Sequence, residues 1–120
     1  GQEEATRCEF RAGDPACNPY FTFAAMLQAG LDGIEKGYKV DPPMDQNLYK
    51  LSDAQREEKG IETLPDSLGH AISISEKSDL IKRILGKHIF PRFIDLKKKE
   101  WDNYRIQVSQ YEIDKYLSIL

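Results

Sequence analysis

The segment at residues 6–12 is the one part of this chain with the alternation of a β-strand. Arg7, Glu9 and Arg11 fall on one face, and the other face carries Thr6, Cys8, Phe10 and Ala12. Gly13-Asp14-Pro15 predicts a turn directly after it. A lone strand leaves its backbone N–H and C=O groups unpaired. We therefore expect it to pair with a second copy, or with strands of a longer polypeptide of which this chain is a fragment.

The rest of the chain carries helix signals. Asn18 as N-cap and Pro19 at the first helical position predict an apolar helix that ends near Gly37 and is buried in the full protein. Capping boxes, prolines and glycines predict five further helices: Ser52 to Gly60, Pro65 to about Ser73, Ser78 to Gly86, about His88 to Ile106, and Ser109 to Tyr116 or Leu117. The sequence thus predicts a mostly α fold with one amino-terminal strand.

Composition excludes several classes of function. The 120 residues carry a net charge of −3, which gives no broad electrostatic reason to bind nucleic acid. No apolar run approaches the ~20 residues that a membrane helix needs. Cys8 and Cys17 are too few for a disulfide scaffold and form no CxxC pair, so we expect reduced, buried thiols and a cytoplasmic protein.

Other polar groups have ordinary structural interpretations. His70 and His88 have no second ligand at metal spacing, so they are expected at the surface or in simple hydrogen bonds. Lys97-Lys98-Lys99 is flanked by acidic residues and predicts a solvated face. Asp14 and Asn18 are predicted to be turn and cap residues. From spacing alone, even the Arg-Glu-Arg alternation is more typical of a solvated strand face.

A long motif then adds to this interpretation. Residues 7–34 contain Arg-x-Glu-x-Arg, Asp-Pro-x-x-Asn-Pro-Tyr and, at the end of the first helix, Ala-Gly-Leu-Asp-Gly-Ile. This succession resembles the glutamine synthetase family. Asp45 to Tyr49, Leu64-Pro65 and the Trp-Asp-x-x-Arg-x-Gln-Val pattern that starts at Trp101 agree with it. Ala12-Gly13 and Ser109-Gln110-Tyr111 depart from the commoner family residues.

The resemblance implies a fold and an activity. Residues 1–120 would be the carboxy-terminal part of the catalytic domain, type I-like, a single incomplete domain that forms a helical piece of an α+β structure. The full-length enzyme would ligate ammonia to glutamate with ATP through a γ-glutamyl phosphate. It would be a homo-oligomer, a dodecamer in the family, with active sites between subunits. The fragment alone is expected to be inactive.

The resemblance also implies roles for the charged face. Glu9 would bind a Mg²⁺ or Mn²⁺ ion that contacts the ATP phosphates, since hard cations prefer carboxylate oxygens. Arg7 would contact nucleotide phosphate. Arg11 would be the catalytic residue that holds the transferred phosphoryl group or the substrate carboxylate, because a guanidinium can bind two oxygens at once.

Tyr49 is a candidate modification site. Asn47-Leu48-Tyr49 matches the loop whose tyrosine is adenylylated in one class of bacterial glutamine synthetase. The carboxy-terminal pattern around Trp101 resembles the other class, which is not modified.

Two alternatives to a glutamine synthetase segment stay open at this point. The chain could be a non-catalytic helical interaction module, or a segment of a related ligase that makes a different γ-glutamyl amide.

Overall fold

The structure, a computed structural model, describes residues 9–119. Helices are its regular elements: α1 (Pro19–Glu35), a short 3₁₀ helix (Leu48–Lys50), α2 (Asp53–Glu58), α3 (Leu68–Lys77), α4 (Asp79–Arg105) and α5 (Gln110–Tyr116). The chain divides into two compact units, the first ending at Leu64 and the second beginning at Pro65. The predicted helical character of this piece is therefore confirmed.

The predicted strand is only partly covered by the structure. Thr6, Arg7 and Cys8 lie outside the described residues, and residues 9–12 have no regular secondary structure. Within residues 9–119 no other strand is present to pair with this segment. Because a strand is defined by backbone hydrogen bonds to a neighbouring strand, residues 9–12 do not qualify as a strand here.

In the first unit, α1 begins as the sequence predicts. The Asn18 side chain accepts hydrogen bonds from the backbone N–H groups of Tyr20 and Phe21, and Pro19 occupies the first turn. Gly37 follows the helix with φ +62°, a conformation that glycine adopts without steric cost. The apolar face of α1 is open to solvent in this chain, and Tyr20 and Ile34 are 82% and 79% exposed.

Helix α2 also forms where the capping box predicts it. The Ser52 N–H donates to the Gln55 side chain at 2.9 Å, and the Gln55 N–H donates back to the Ser52 hydroxyl at 3.3 Å. Arg56 donates from Nη2 to the Leu51 carbonyl oxygen at 3.0 Å, which ties the helix to the segment before it. Gly60, at φ +65°, ends this short element.

In the second unit, α3 begins and ends later than predicted. Pro65 was expected to open this helix and Ser73 to lie near its end, whereas the helix runs from Leu68 to Lys77. The reason is the Ser67 hydroxyl, which accepts a hydrogen bond from the His70 N–H at 3.2 Å and so places the cap at Ser67.

Helix α4 contains a sharp break at Gly86. Its φ and ψ of 67° and 174° are not helical and belong to a region that is essentially restricted to glycine. This break confirms the predicted interruption at Gly86. Pro91 lies five residues after this break, inside the second half of α4.

The second half of α4 runs antiparallel to α3. Trp101 lies against Gly69 near the start of α3, and Lys98 reaches Glu76 near its end, with Nζ 2.5 Å from Oε1. Ile72 of α3 and Leu85 and Ile94 of α4 are the buried apolar side chains of the described chain. This pair of helices is therefore the packed part of the second unit.

Helix α5 repeats the capping box. The Ser109 N–H donates to Glu112 Oε2 at 2.8 Å, and the Glu112 N–H donates to the Ser109 hydroxyl at 3.2 Å. The hydrogen bond from the Ser109 side chain, followed by the one from its backbone, lowers the pKa of Glu112. None of the helices formed by residues 9–119 has the length and apolar character needed to cross a bilayer.

Gly69 creates the space that the Trp101 indole occupies. A Cβ atom at position 69 would lie 2.7 Å from Trp101 Cε2 and 2.8 Å from Nε1, which is closer than packed atoms allow. A side chain at this position would therefore force the ring to move.

We expect Gly69→Ala to lower the free energy of unfolding of the second unit by about 1–3 kcal/mol, as overpacking does. Urea unfolding followed by Trp101 fluorescence measures this. In a Trp101→Ala background, followed by circular dichroism, the same change should be neutral or stabilising by up to about 1 kcal/mol, because alanine favours helix over glycine. Equal destabilisation in both backgrounds would contradict a clash with the indole.

Candidate active-site segment

Glu9 and Arg11 are in direct contact on one side of the amino-terminal segment. Arg11 donates from Nη2 and from Nε to the same carboxylate oxygen, Glu9 Oε2, at 2.5 and 3.2 Å. The Arg11 side chain is 85% exposed and that of Glu9 is 44% exposed. An ion pair this exposed stabilises the fold by only about 0–1 kcal/mol. The pair therefore contributes little to the stability of the fold.

Arg7, the third member of the predicted charged face, lies outside the described residues. Its predicted contact with nucleotide phosphate stays a prediction. The two described members form one cation and one anion side by side, and both are accessible from solvent. Such a pair offers nitrogen donors for phosphate or carboxylate oxygens and an oxygen donor for a cation.

The metal-binding role predicted for Glu9 needs further ligands. A carboxylate oxygen is the donor type that Mg²⁺ and Mn²⁺ prefer, so the chemistry of Glu9 fits such an ion. Among the described residues, however, no three His, Cys, Asp or Glu side chains come together as a metal-binding group. One Glu9 oxygen is also engaged by Arg11. A complete site would require donors from outside residues 9–119.

A turn connects this pair to α1. The Asp14 side chain accepts a hydrogen bond from the Ala16 N–H at 2.7 Å, and the Asp14 carbonyl accepts one from the Cys17 N–H at 3.0 Å. Asn18 then caps the helix. The turn and cap roles expected for Asp14 and Asn18 are therefore what the structure has.

Tyr49, the candidate modification site, is fully presented to solvent. It lies in the 3₁₀ helix and is 96% exposed. The Asn47 side chain accepts a hydrogen bond from the Tyr49 N–H at 3.1 Å, which fixes the backbone of this loop. Exposure makes the hydroxyl accessible to a modifying enzyme, and adenylylation itself stays a prediction.

The histidines occupy ordinary positions. His70 Nδ1 lies 3.1 Å from Asp66 Oδ1, one turn before it, and this hydrogen bond is the main cause of a lowered pKa of Asp66. His88 is exposed on α4. Cys17 is also exposed, which contradicts the expectation of buried thiols, because it lies in the turn before α1 rather than in a core. Cys8 lies outside the described residues.

The lysine run on α4 is neutralised residue by residue. Each lysine has an acidic partner in an ion pair: Lys97 with Glu100 at 2.7 Å, Lys98 with Glu76 at 2.5 Å, and Lys99 with Asp95 at 2.8 Å. Trp101 and Tyr104 contact each other with ring centroids 5.9 Å apart. This surface is the solvated helix face that the sequence predicts, with no unpaired cluster of positive charge.

Sequence reasoning missed a cleft between α3 and α4. Its volume is about 320 Å³, and its lining includes Ser73, Glu76, Lys98 and Trp101. The residues that form it are far apart in sequence, as Glu76 and Lys98 show. No local motif marks such a pairing, so the cleft could be found only from the fold.

Comparison with known proteins shows which proteins this chain is similar to. The sequence profile of the glutamine synthetase catalytic domain matches residues 1–116. The chain is 45% identical to the glutamine synthetase of Methanococcus maripaludis over 116 residues, which is 97% of this chain and 26% of that protein. It is 46% identical over 113 residues to that of Mycolicibacterium smegmatis, and 47% identical over 113 residues to that of Staphylococcus aureus strain MW2, covering 94% of this chain and 25% of each relative.

The chain thus spans about a quarter of the length of the curated relatives that it matches. The match is nevertheless continuous from the charged segment to α5, and it includes the Glu9–Arg11 pair and the capped helix that follows. On this evidence the chain belongs to the glutamine synthetase catalytic-domain family.

Proposed function

We propose that this chain supplies one charged wall of the active site in a longer glutamine synthetase, which ligates ammonia to glutamate at the expense of ATP. The observation that carries the proposal is the solvent-accessible Glu9–Arg11 pair, set at the start of a segment that matches the family's catalytic domain. An exposed guanidinium can bind phosphate or carboxylate oxygens, and an exposed carboxylate can bind a metal ion. Both are needed in a reaction that transfers a phosphoryl group to a carboxylate.

In this proposal Arg11 stabilises the reacting oxygens. Phosphorylation of the glutamate side chain, and displacement of that phosphate by ammonia, both bring negative oxygens together. The guanidinium has several N–H donors in a plane, so it can hold a phosphoryl or carboxylate group through two of them. To do so Arg11 would exchange its present contact with Glu9 for substrate oxygens. Arg7 is proposed to contact the nucleotide phosphates from the same face.

Glu9 is the proposed ligand of a divalent cation, Mg²⁺ or Mn²⁺. Bound there, the ion would neutralise charge on the ATP phosphates. Glu9 contributes one oxygen donor, and the remaining donors would come from outside residues 9–119. Its contact with Arg11 keeps the two side chains on the same side of the segment, so the cation site and the anion-binding guanidinium would be adjacent.

The remaining properties follow from the same proposal. The full-length enzyme would be a cytoplasmic homo-oligomer that binds glutamate, ammonia and ATP, and it would bind neither nucleic acid nor membranes. The net charge of −3 and the ion-paired lysines of α4 support the expectation that the enzyme does not bind nucleic acid. The exposed apolar face of α1 supports burial against other parts of a larger protein.

We expect the 120-residue chain, purified alone, to have no glutamine synthetase activity. Phosphoryl transfer needs a preorganised set of charges, and this chain provides only part of one. A γ-glutamyl transfer assay with Mn²⁺ measures this. Turnover clearly above that of a no-protein control would show that the chain does not depend on additional active-site elements.

We expect Arg11→Lys, in the full-length enzyme that contains this chain, to lower kcat by about 100-fold, the loss typical for removing one donor to developing charge. Lysine keeps the positive charge but loses the planar pair of donors. Circular dichroism should be unchanged, because Arg11 is exposed. Arg92→Lys, a matched change at an exposed position of α4, should keep wild-type kcat. Wild-type turnover in Arg11→Lys would remove Arg11 from the site.

We expect Glu9→Gln in the same full-length enzyme to raise the Mn²⁺ concentration needed for half-maximal activity by more than about tenfold, as loss of support for a metal does. Glutamine keeps the size of the side chain but removes the negative charge. Glu62→Gln makes the same change at an exposed position of the first unit and should leave the Mn²⁺ curve unchanged. Superimposable curves for wild type and Glu9→Gln would contradict a metal-binding role.

A further inference from the structure

The segment between Arg11 and α1 is held by a dense set of local hydrogen bonds. Asp14 closes the turn by accepting from the Ala16 and Cys17 N–H groups. Both oxygen atoms of Asn18, in the side chain and in the backbone, then accept hydrogen bonds. Its side-chain Oδ1 accepts from the Tyr20 and Phe21 N–H groups at 3.0 and 3.3 Å. The path of the chain into the helix is therefore fixed by the first turn of α1 itself.

The backbone oxygen of Asn18 extends this connection to Thr22. It accepts one hydrogen bond from the Thr22 N–H and a second from the Thr22 hydroxyl, both at 3.0 Å. Thr22 in turn lies beside Gly13, since a Cβ atom at position 13 would be 3.8 Å from the Thr22 methyl carbon. Gly13, two residues after Arg11, is thus next to the same turn of helix that Asn18 caps.

Arg11 depends on this connection for its position. Within residues 9–119 its side chain contacts Glu9, which belongs to the same segment, and it is otherwise open to solvent. The Glu9–Arg11 contact fixes the two side chains relative to each other but not relative to the helix. The link from Gly13 through Thr22 to Asn18 is what relates the segment to α1.

We propose that Asn18 is a positioning residue for Arg11: by capping α1 and anchoring the turn at residues 13–18, it sets where the guanidinium stands relative to the helix. This inference rests on the proposed function of Arg11. In this proposal Asn18 touches no substrate; its side-chain oxygen holds the Tyr20 and Phe21 N–H groups and so fixes the backbone that leads back to Arg11. The required feature is an acceptor oxygen at the side chain, which alanine lacks and aspartate keeps.

The test compares cap variants in the full-length enzyme. Asn18→Ala removes the acceptor for the Tyr20 and Phe21 N–H groups, so the turn loosens and kcat should fall about tenfold, since small misplacements of reacting groups are costly. Asn18→Asp restores the acceptor and should recover kcat to within about twofold of wild type. The KM for ATP should rise in Asn18→Ala and return toward the wild-type value in Asn18→Asp, because Arg7 and Glu9, the proposed nucleotide- and metal-binding groups, belong to the same segment.

Ser52→Ala is the matched control. It removes the cap of α2, which has the same kind of hydrogen bond, from Gln55 N–H to a side-chain oxygen. It should shift the midpoint of urea unfolding by a similar amount without lowering kcat. If Ser52→Ala lowers kcat as much as Asn18→Ala, the effect is general destabilisation and the proposal is wrong.

A double variant separates this proposal from the function on which it rests. Asn18→Ala should add little to the loss in an Arg11→Lys background, because the two changes affect one interaction. Independent, multiplying losses would overturn the positioning role. If Arg11→Lys alone retains wild-type turnover, the proposed function fails. If Arg11→Lys is impaired while Asn18→Ala has wild-type kcat, only the positioning role fails.

Discussion

The packing of α3 against the second half of α4 is the contact on which the second unit depends. It holds Ile72 and Ile94 away from solvent and aligns the Glu76–Lys98 ion pair across the two helices. Neither helix could bury its apolar stripe alone. Gly86 makes the arrangement possible, because its positive φ interrupts α4 between the part that follows α3 and the part that returns along it.

The first unit is organised differently. Its helix α1 has strong caps at both ends but no buried residue, and most of its large apolar side chains face solvent. Local hydrogen bonds define where such a helix begins and ends, whereas apolar burial normally supplies most of its stability. The chain therefore carries an element whose sequence is adapted to surroundings larger than the residues described. This agrees with a chain that spans about a quarter of its relatives.

Most features that depend on residues close together in sequence are predicted correctly, and features that depend on distant residues are not. The capping boxes at Ser52 and Ser109 and the cap at Asn18 were predicted because each involves residues within three positions of one another. The start of α3 was misplaced because Pro65 and Ser67 are both acceptable helix openers, and only the hydrogen bond to His70 N–H distinguishes them. The α3–α4 cleft was not predictable, since it joins residues more than twenty positions apart.

The same distinction applies to the candidate site: the relative position of its residues is predictable from the sequence pattern, and their chemical role is not. Alternation alone placed Glu9 and Arg11 on one side, and the structure has them in contact. The chemistry of the pair, by contrast, depends on groups that the described residues do not contain, so neither periodicity nor local geometry specifies it. Family resemblance supplied that part. The structure adds the local contacts that connect Arg11 to α1, namely the turn at residues 13–18 and the Asn18 cap. The sequence motif includes these residues but does not show how they contact one another.

The close approach of Trp101 to Gly69 also has an evolutionary consequence. Because the indole lies where a Cβ atom would be, neither position can vary freely while the other stays as it is. A lineage that replaced the glycine would first need a smaller residue at position 101, and one that lost the tryptophan would leave a gap that a larger residue at position 69 could fill. Substitutions at these two sites should therefore occur in a preferred order, as a coupled pair.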